Sequence, residues 1–175
     1  MQKIIGPLLD GGVDIPITQS SARLLALFAF KTAVISDQAR RNSPFRFFSR
    51  DSRYRFKASL EIPATIQMWF AGYLGRGEGS CFTTYYNVPE PDGLELYVCT
   101  YCIGHFVFQV VAYRKVVSWH IRPDDLTFET LAIPFWPCLP DRFLWPPKRV
   151  LMKPRDLLKF SGRWKRIHIF KPVGR

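Results

Sequence analysis

Four cysteines and three histidines are the side chains in these 175 residues with the chemistry to hold a structural zinc, so their spacing is decisive. The tightest group is Cys99-Thr100-Tyr101-Cys102 with His105, and Cys81 or Cys138 would be a fourth ligand. A structural zinc site needs two sulfurs converging from a tight turn. Here the cysteines lie inside an alternating apolar pattern with no turn residue between them. Residues three apart on a strand point to opposite faces. Zinc at Cys99, Cys102 and His105 therefore requires a bulge, and buried, reduced cysteines are the expectation. No other cofactor is expected.

Catalytic patterns are equally sparse. His105, His120 and His168 belong to no nucleophile elbow and no His-Glu-x-x-His helix. The densest acids are Glu90, Asp92, Glu95, Asp124, Asp125 and Glu129, and they lack the spacing of a two-metal nuclease. Gly75-Arg76-Gly77-Glu78-Gly79 lacks the Gly-Lys-Ser/Thr and the strand-to-helix context of a phosphate-binding loop. An enzyme would need a site assembled from distant residues such as Lys31, Glu95 and His105. The chain is therefore expected not to be an enzyme.

The remaining chemistry is electrostatic. A net charge of +11 and a pI near 9.8 favour an anionic partner, DNA or RNA among them. Two segments concentrate that charge. In the first, Arg46, Arg50, Arg53, Arg55 and Lys57 meet only one acid, Asp51, and Phe47, Phe48, Tyr54 and Phe56 interleave with them. Arginines can hold phosphates while aromatic rings between them, Phe47 for example, stack bases. The same pattern also fits an amphipathic helix with core aromatics and solvated arginines. In the second, Lys148 to Arg175 carries ten Lys and Arg against Asp156 alone. Arg163, Lys165 and Arg166 flank Trp164 there, and this end either grips phosphates or is a solvated tail.

These side chains need a scaffold, and the longest apolar run begins it. Ile17 to Arg41 has no Gly or Pro after Thr18, so it is expected to be one helix capped by Thr18. Its centre is apolar nearly all round, which predicts burial on most sides. Ser49 is placed to cap a second helix that ends before Pro63. Thr65 to Tyr73 reads as a strand with Ile66, Met68 and Phe70 on one face, and 75–79 reads as a flexible loop. Phe82 to Val88 is a second strand, Asp92-Gly93 a hairpin turn, and Leu94 to Tyr113 a long strand bent at Gly104. Short strands follow at Val116–Ile121 and Phe128–Trp136. The Trp- and Pro-rich stretch beyond is expected to lie extended over the sheet without pairing. Pro154 opens a last helix with Leu157, Leu158 and Phe160 facing in.

The fold class that emerges is α+β in one domain over 1–175. A buried N-terminal helix packs on a twisted antiparallel sheet, with a Trp/Pro-rich flank and a short C-terminal helix. Residues 1–16 are a lead-in, with Ile4, Ile5, Leu8 and Leu9 at helical spacing, and 165–175 form a basic tail. The N-terminus lacks a secretory h-region, and the apolar run of about a dozen residues is shorter than the roughly 20 a bilayer needs. A cytoplasmic protein without a membrane span is expected.

The order of segments resembles a bacterial group of HNH-endonuclease-like hypothetical proteins. The resemblance is carried by Pro7-Leu8-Leu9, Ala29-Phe30-Lys31-Thr32-Ala33-Val34, and Ile62-Pro63-Ala64-Thr65 ahead of Gly72. It continues through Ile103-Gly104-His105-Phe106-Val107-Phe108-Gln109-Val110, Ile133-Pro134-Phe135-Trp136-Pro137 and Trp145-Pro146-Pro147. It spans roughly Ile5 to Trp164. Such proteins carry, ahead of this region, a cysteine- and histidine-bearing segment of the ββα-metal type, and no position here matches it. The resemblance implies an accessory part without its nuclease: a non-catalytic nucleic-acid-binding module. The alternative is a structural or interaction subunit of a larger assembly, suggested by the abundant Trp, Phe and Pro.

Overall fold

The computed structural model describes residues 15–39, 46–87, 95–114, 120–123, 131–137, 142–145, 151–162 and 167–170. The lead-in before Ile15, the Asp92-Gly93 turn, Cys138, Arg40, Arg41, Arg163, Lys165 and Arg166 lie outside them.

The architecture is α+β, with helices α1 (Gln19–Ala39), α2 (Arg50–Ser59) and α3 (Pro154–Gly162) against antiparallel strands. The strands are β1 (Ile15–Thr18), β2 (Ile66–Asn87), β3 (Glu95–Arg114), β4 (His120–Pro123), β5 (Ile133–Trp136), β6 (Arg142–Trp145) and β7 (Ile167–Phe170). The central sheet has the order β3-β2-β5, while β1 pairs with β6 and β4 with β7. Among the described residues, no helix is long and apolar enough to cross a membrane.

Thr18 caps α1 as its hydroxyl predicts, accepting the Ser21 N–H at 3.3 Å. The helix is buried along one stripe, however, and not on most sides. Ala22, Leu25, Ala26, Ala29, Phe30, Ala33, Val34 and Asp37 face in at the helical period. Four of these are alanines, and small side chains let the helix axis lie close to the sheet. Leu24 and Ile35, eleven residues apart and so on one outer line, stay exposed at 40% and 55%.

Strands β2 and β3 form one long hairpin that folds back on itself. Nineteen residues separate Glu95 from Arg114, which would hold them about 60 Å apart on a straight strand, yet their side chains meet at 3.2 Å. Gln109 likewise donates to Thr100 at 2.9 Å, and Tyr101 stacks on Phe108. Gly104, at φ 57°, makes the bend on β3. The partner strand bends at the glycine run. There the sequence suggests a loop, but 75–79 stays within β2, and Gly77 and Glu78 pair with Gly104 and Ile103 between register shifts at Gly72/Gly77 and Glu78/Ser80. Without side chains to clash, glycines let the ladder slip and continue.

The shifts also reverse which side chains face which core. Before Gly104, Tyr97 and Cys99 enter the first core, under α1; after it, Phe106, Phe108, Val110 and Ala112 do. Leu96, Val98 and Cys102, then Val107 and Val111, enter the second core, with Leu157 and Phe160 of α3. A residue with a Cβ at Gly104 would sit in the left-handed region at a cost of about 1–2 kcal/mol. Gly104→Ala is expected to lower the unfolding free energy by that amount in a denaturant titration, and Gly104→Asn by less.

The expected strand that ends at Trp136 is present as Ile133–Trp136 and pairs with β2 despite Pro134, because β5 is an edge strand and shifts register opposite Met68 and Trp69. Three further expectations are revised. The extended β6 pairs with β1, seating Trp145 against Phe106 in the first core. Ile167–Phe170, within the expected basic tail, is a strand paired with β4. In α3, Leu157 and Phe160 face in as predicted, but Leu158 is 63% exposed. It is one residue from Leu157, about 100° round the helix.

A candidate nucleic-acid interface

The first basic segment becomes α2 and the turn before it. Ser49 caps the helix, accepting the Ser52 N–H at 3.1 Å, and Leu60 ends it in a left-handed conformation. Not one residue of α2 is buried. Packing therefore does not hold the helix along its length; its ends and one ring do. Phe56 is half-buried, with its ring 4.7 Å from that of Phe30.

The 3.6-residue period divides α2 into two faces. Arg50, Arg53, Tyr54 and Lys57 follow i, i+3, i+4, i+7 and share one side. Arg50 lies over the Tyr54 ring at 5.4 Å, and Arg53 Nε donates to the Ser49 carbonyl at 3.3 Å. Tyr54 is 57% exposed. Ser52, Arg55, Phe56 and Ser59 line a cleft of about 630 Å³ on the other side, floored by Phe48 and Tyr113. Asp51 is the sole acid of the helix and sits in its first turn, where the dipole favours it.

The structure thus brings Arg50, Arg53, Arg55 and Lys57 onto one surface helix. Arg46 stands half-buried just before it. Phe47 is not available for stacking. It is buried against Tyr97, with ring centroids 5.7 Å apart. The exposed ring is Tyr54. The amphipathic reading thus holds for Phe47 and Phe48, while the charged helix that follows packs only the half-buried Phe56 ring against the core.

Two residues that sequence reasoning passed over position this helix. Asp37, completely buried near the end of α1, accepts the N–H groups of Phe47 at 3.1 Å and Phe48 at 3.0 Å, and Gln38 Nε2 at 3.1 Å. Arg114, at the end of β3, donates to the carbonyls of Arg46 and Phe47, lies over the Phe47 ring at 4.8 Å, and pairs with Glu95. The segment 46–48 is therefore gripped through its N–H groups by a carboxylate and through its carbonyls by a guanidinium. The sequence held one signal. An acid in the last turn of a helix opposes the dipole, so Asp37 needs a compensating partner.

The metal candidates separate as the strand period requires. Cys99 lies in the first core and Cys102 in the second, and His105 Nδ1 is 3.1 Å from the Tyr73 carbonyl oxygen. Burial pushes the Cys102 thiol up to about 11. Among the described residues, no three His, Cys, Asp or Glu side chains gather as metal ligands. The dispersed trio Lys31, Glu95 and His105 is also divided: Glu95 is engaged by Arg114, His105 by Tyr73, and Lys31 is exposed on α1. No protein-family model, curated protein or solved structure matches this chain, so its own geometry carries the functional reading.

Proposed function

We infer that this chain is a non-catalytic nucleic-acid-binding module, the accessory part of a nuclease-like system. One observation carries the reading: α2 places four cations on a surface helix that buries none of its residues and contains one acid. A helix that contributes so little to the core has its arginines for another purpose. Arg50, Arg53 and Lys57 would contact phosphates from the outer face while Tyr54 stacks on an unpaired base. Arg55 faces the cleft, where a phosphate or a base edge would meet it. Arg163, Lys165 and Arg166 would extend the same electrostatic contact. The nuclease association rests on the sequence resemblance alone.

Fluorescence anisotropy against a labelled single strand and the matching duplex, of DNA and of RNA, tests the reading. Binding at low salt that weakens steeply as salt rises is expected. Absence of binding to all four at low salt would remove it. A second reading, an interaction subunit, is favoured by the exposed line of Leu24 and Ile35 on α1. It predicts association that does not depend on salt in this way.

A further inference from the structure

A second cluster adjoins Tyr97 and takes no part in the proposed binding. Cys81 Sγ of β2 is 3.8 Å from Cys99 Sγ of β3 and 3.2 Å from Ser36 Oγ of α1. Cys81 stands opposite Tyr101, and Cys99 opposite Thr83, so the cysteines are diagonal neighbours on the first-core face. Cys81 is exposed and Cys99 is buried behind it.

The two thiols are electrically unequal. The Cys99 S–H, donating to Cys81 sulfur, is the main cause that brings Cys81 down to about 7; burial opposes it and the Ser36 hydroxyl adds to it. The same bond, with burial, holds Cys99 well above the usual thiol range. Two phenols stand beside them: Tyr101 opposite Cys81, and Tyr97, whose phenol burial holds far up and whose hydroxyl donates to the Ala33 carbonyl. A solvent-reachable thiolate thus has a protonated thiol in contact with it.

We propose that Cys81 and Cys99 form a peroxide-reactive dithiol site that closes into a reversible disulfide between β2 and β3. The Cys81 thiolate attacks one oxygen of hydrogen peroxide. The O–O bond breaks, the departing hydroxide takes a proton to become water, and Cys81 becomes a sulfenic acid. Cys99 then gives up its proton and its sulfur attacks Cys81 sulfur. The S–O bond breaks, and hydroxide leaves as water with that proton. Two electrons pass from the two thiols to one peroxide, giving one disulfide and two waters. A dithiol reductant returns the pair to thiols.

Closing the bond shortens the sulfur separation from 3.8 Å to about 2.05 Å. A diagonal pair needs a slight slide of one strand along the other. The slack is adjacent: Gly79, at φ 84°, and the register shift between Glu78 and Ser80 directly precede Cys81. Cys102 offers the contrast of a buried thiol in the other core.

The test uses the reduced full chain, limiting hydrogen peroxide and peptide mass mapping. The expected product is a Cys81–Cys99 linked peptide, lighter by two hydrogens and restored by dithiothreitol. In Cys99→Ser, dimedone should trap a sulfenic acid at Cys81; in Cys81→Ser, neither product should form. Iodoacetamide at neutral pH should label Cys81 roughly a hundredfold faster than Cys102, from its thiolate fraction discounted for lower nucleophilicity. That rate should rise through pH about 7, and at higher pH in Cys99→Ala. Oxidation falling first on Cys102 or Cys138, or sulfinic acid accumulating at Cys81 beside a free Cys99, would overturn the proposal.

Discussion

Replacing Asp37 by alanine is expected to destabilise the protein by about 3 kcal/mol, a large share of the 5–15 kcal/mol typical of a domain. The carboxylate accepts two backbone N–H groups from a segment ten and eleven residues away, in a completely buried place. Alanine leaves both donors without a partner and out of reach of water, at about 1–3 kcal/mol each. Asn should be almost as damaging. One carboxylate oxygen accepts from Phe47 and the other from Phe48, so an Asn amide would turn an NH₂ group toward one of those N–H donors. Glu is longer by a methylene and would overfill the site. Urea titrations of the three variants, with the slope of free energy against urea unchanged, measure these costs. A midpoint for Asp37→Ala equal to that of the wild type would show that the 46–48 segment needs no latch.

The second large effect concerns binding. Replacing Arg50, Arg53, Arg55 and Lys57 together by alanine is expected to abolish most of the salt-sensitive affinity for nucleic acid. Each phosphate contact contributes about 0.9 to the slope of log affinity against log salt on duplex DNA, and about 0.7 on a single strand. Those four contacts account for roughly 50- to 150-fold of the loss in affinity between about 50 and 200 mM salt, and the variant should lose that part of the salt dependence and keep only what Arg163, Lys165 and Arg166 contribute. The variant should keep its fold, because no residue of α2 is buried and alanine is the best helix former. Tyr54→Ala separates the two modes of contact. It should weaken single-strand binding by about 1–3 kcal/mol through lost stacking, and leave duplex binding and the salt slope almost unchanged. An unaltered slope in the fourfold variant would place the binding surface elsewhere on the chain.

Both effects depend on the same junction. Asp37 and Arg114 belong to different elements, yet both act on residues 46–48, which lead directly into the Ser49 cap. Loss of either would change where α2 starts, and with it the direction in which its cations point. Stability and binding are therefore expected to fall together in Asp37→Ala, but to separate in the fourfold alanine variant.

Much of the local structure was legible in the sequence because it follows from near neighbours. Thr18 and Ser49 hydroxyls specify helix starts, Pro154 opens α3, and the alternation of Ile66, Met68 and Phe70 fixes the inward face of β2. The α+β class, the antiparallel hairpin and the bend at Gly104 follow from the same short-range patterns. The separation of Cys99 from Cys102 follows from the two-residue period of a strand.

What only the tertiary structure decided are the long-range pairings, because sequence spacing carries no information about which distant groups meet. Glycines that suggest a loop at 75–79 instead let two strands slip and fold together, which brings Arg114 to Glu95 and to the turn before α2. Periodicity could not say that the apolar surround of α1 would be buried on one stripe only, since that depends on how many neighbours arrive. It likewise could not place Asp37 under two distant amides, or Cys81 against Cys99, because each partnership is set by the register of elements that meet only when the hairpin closes.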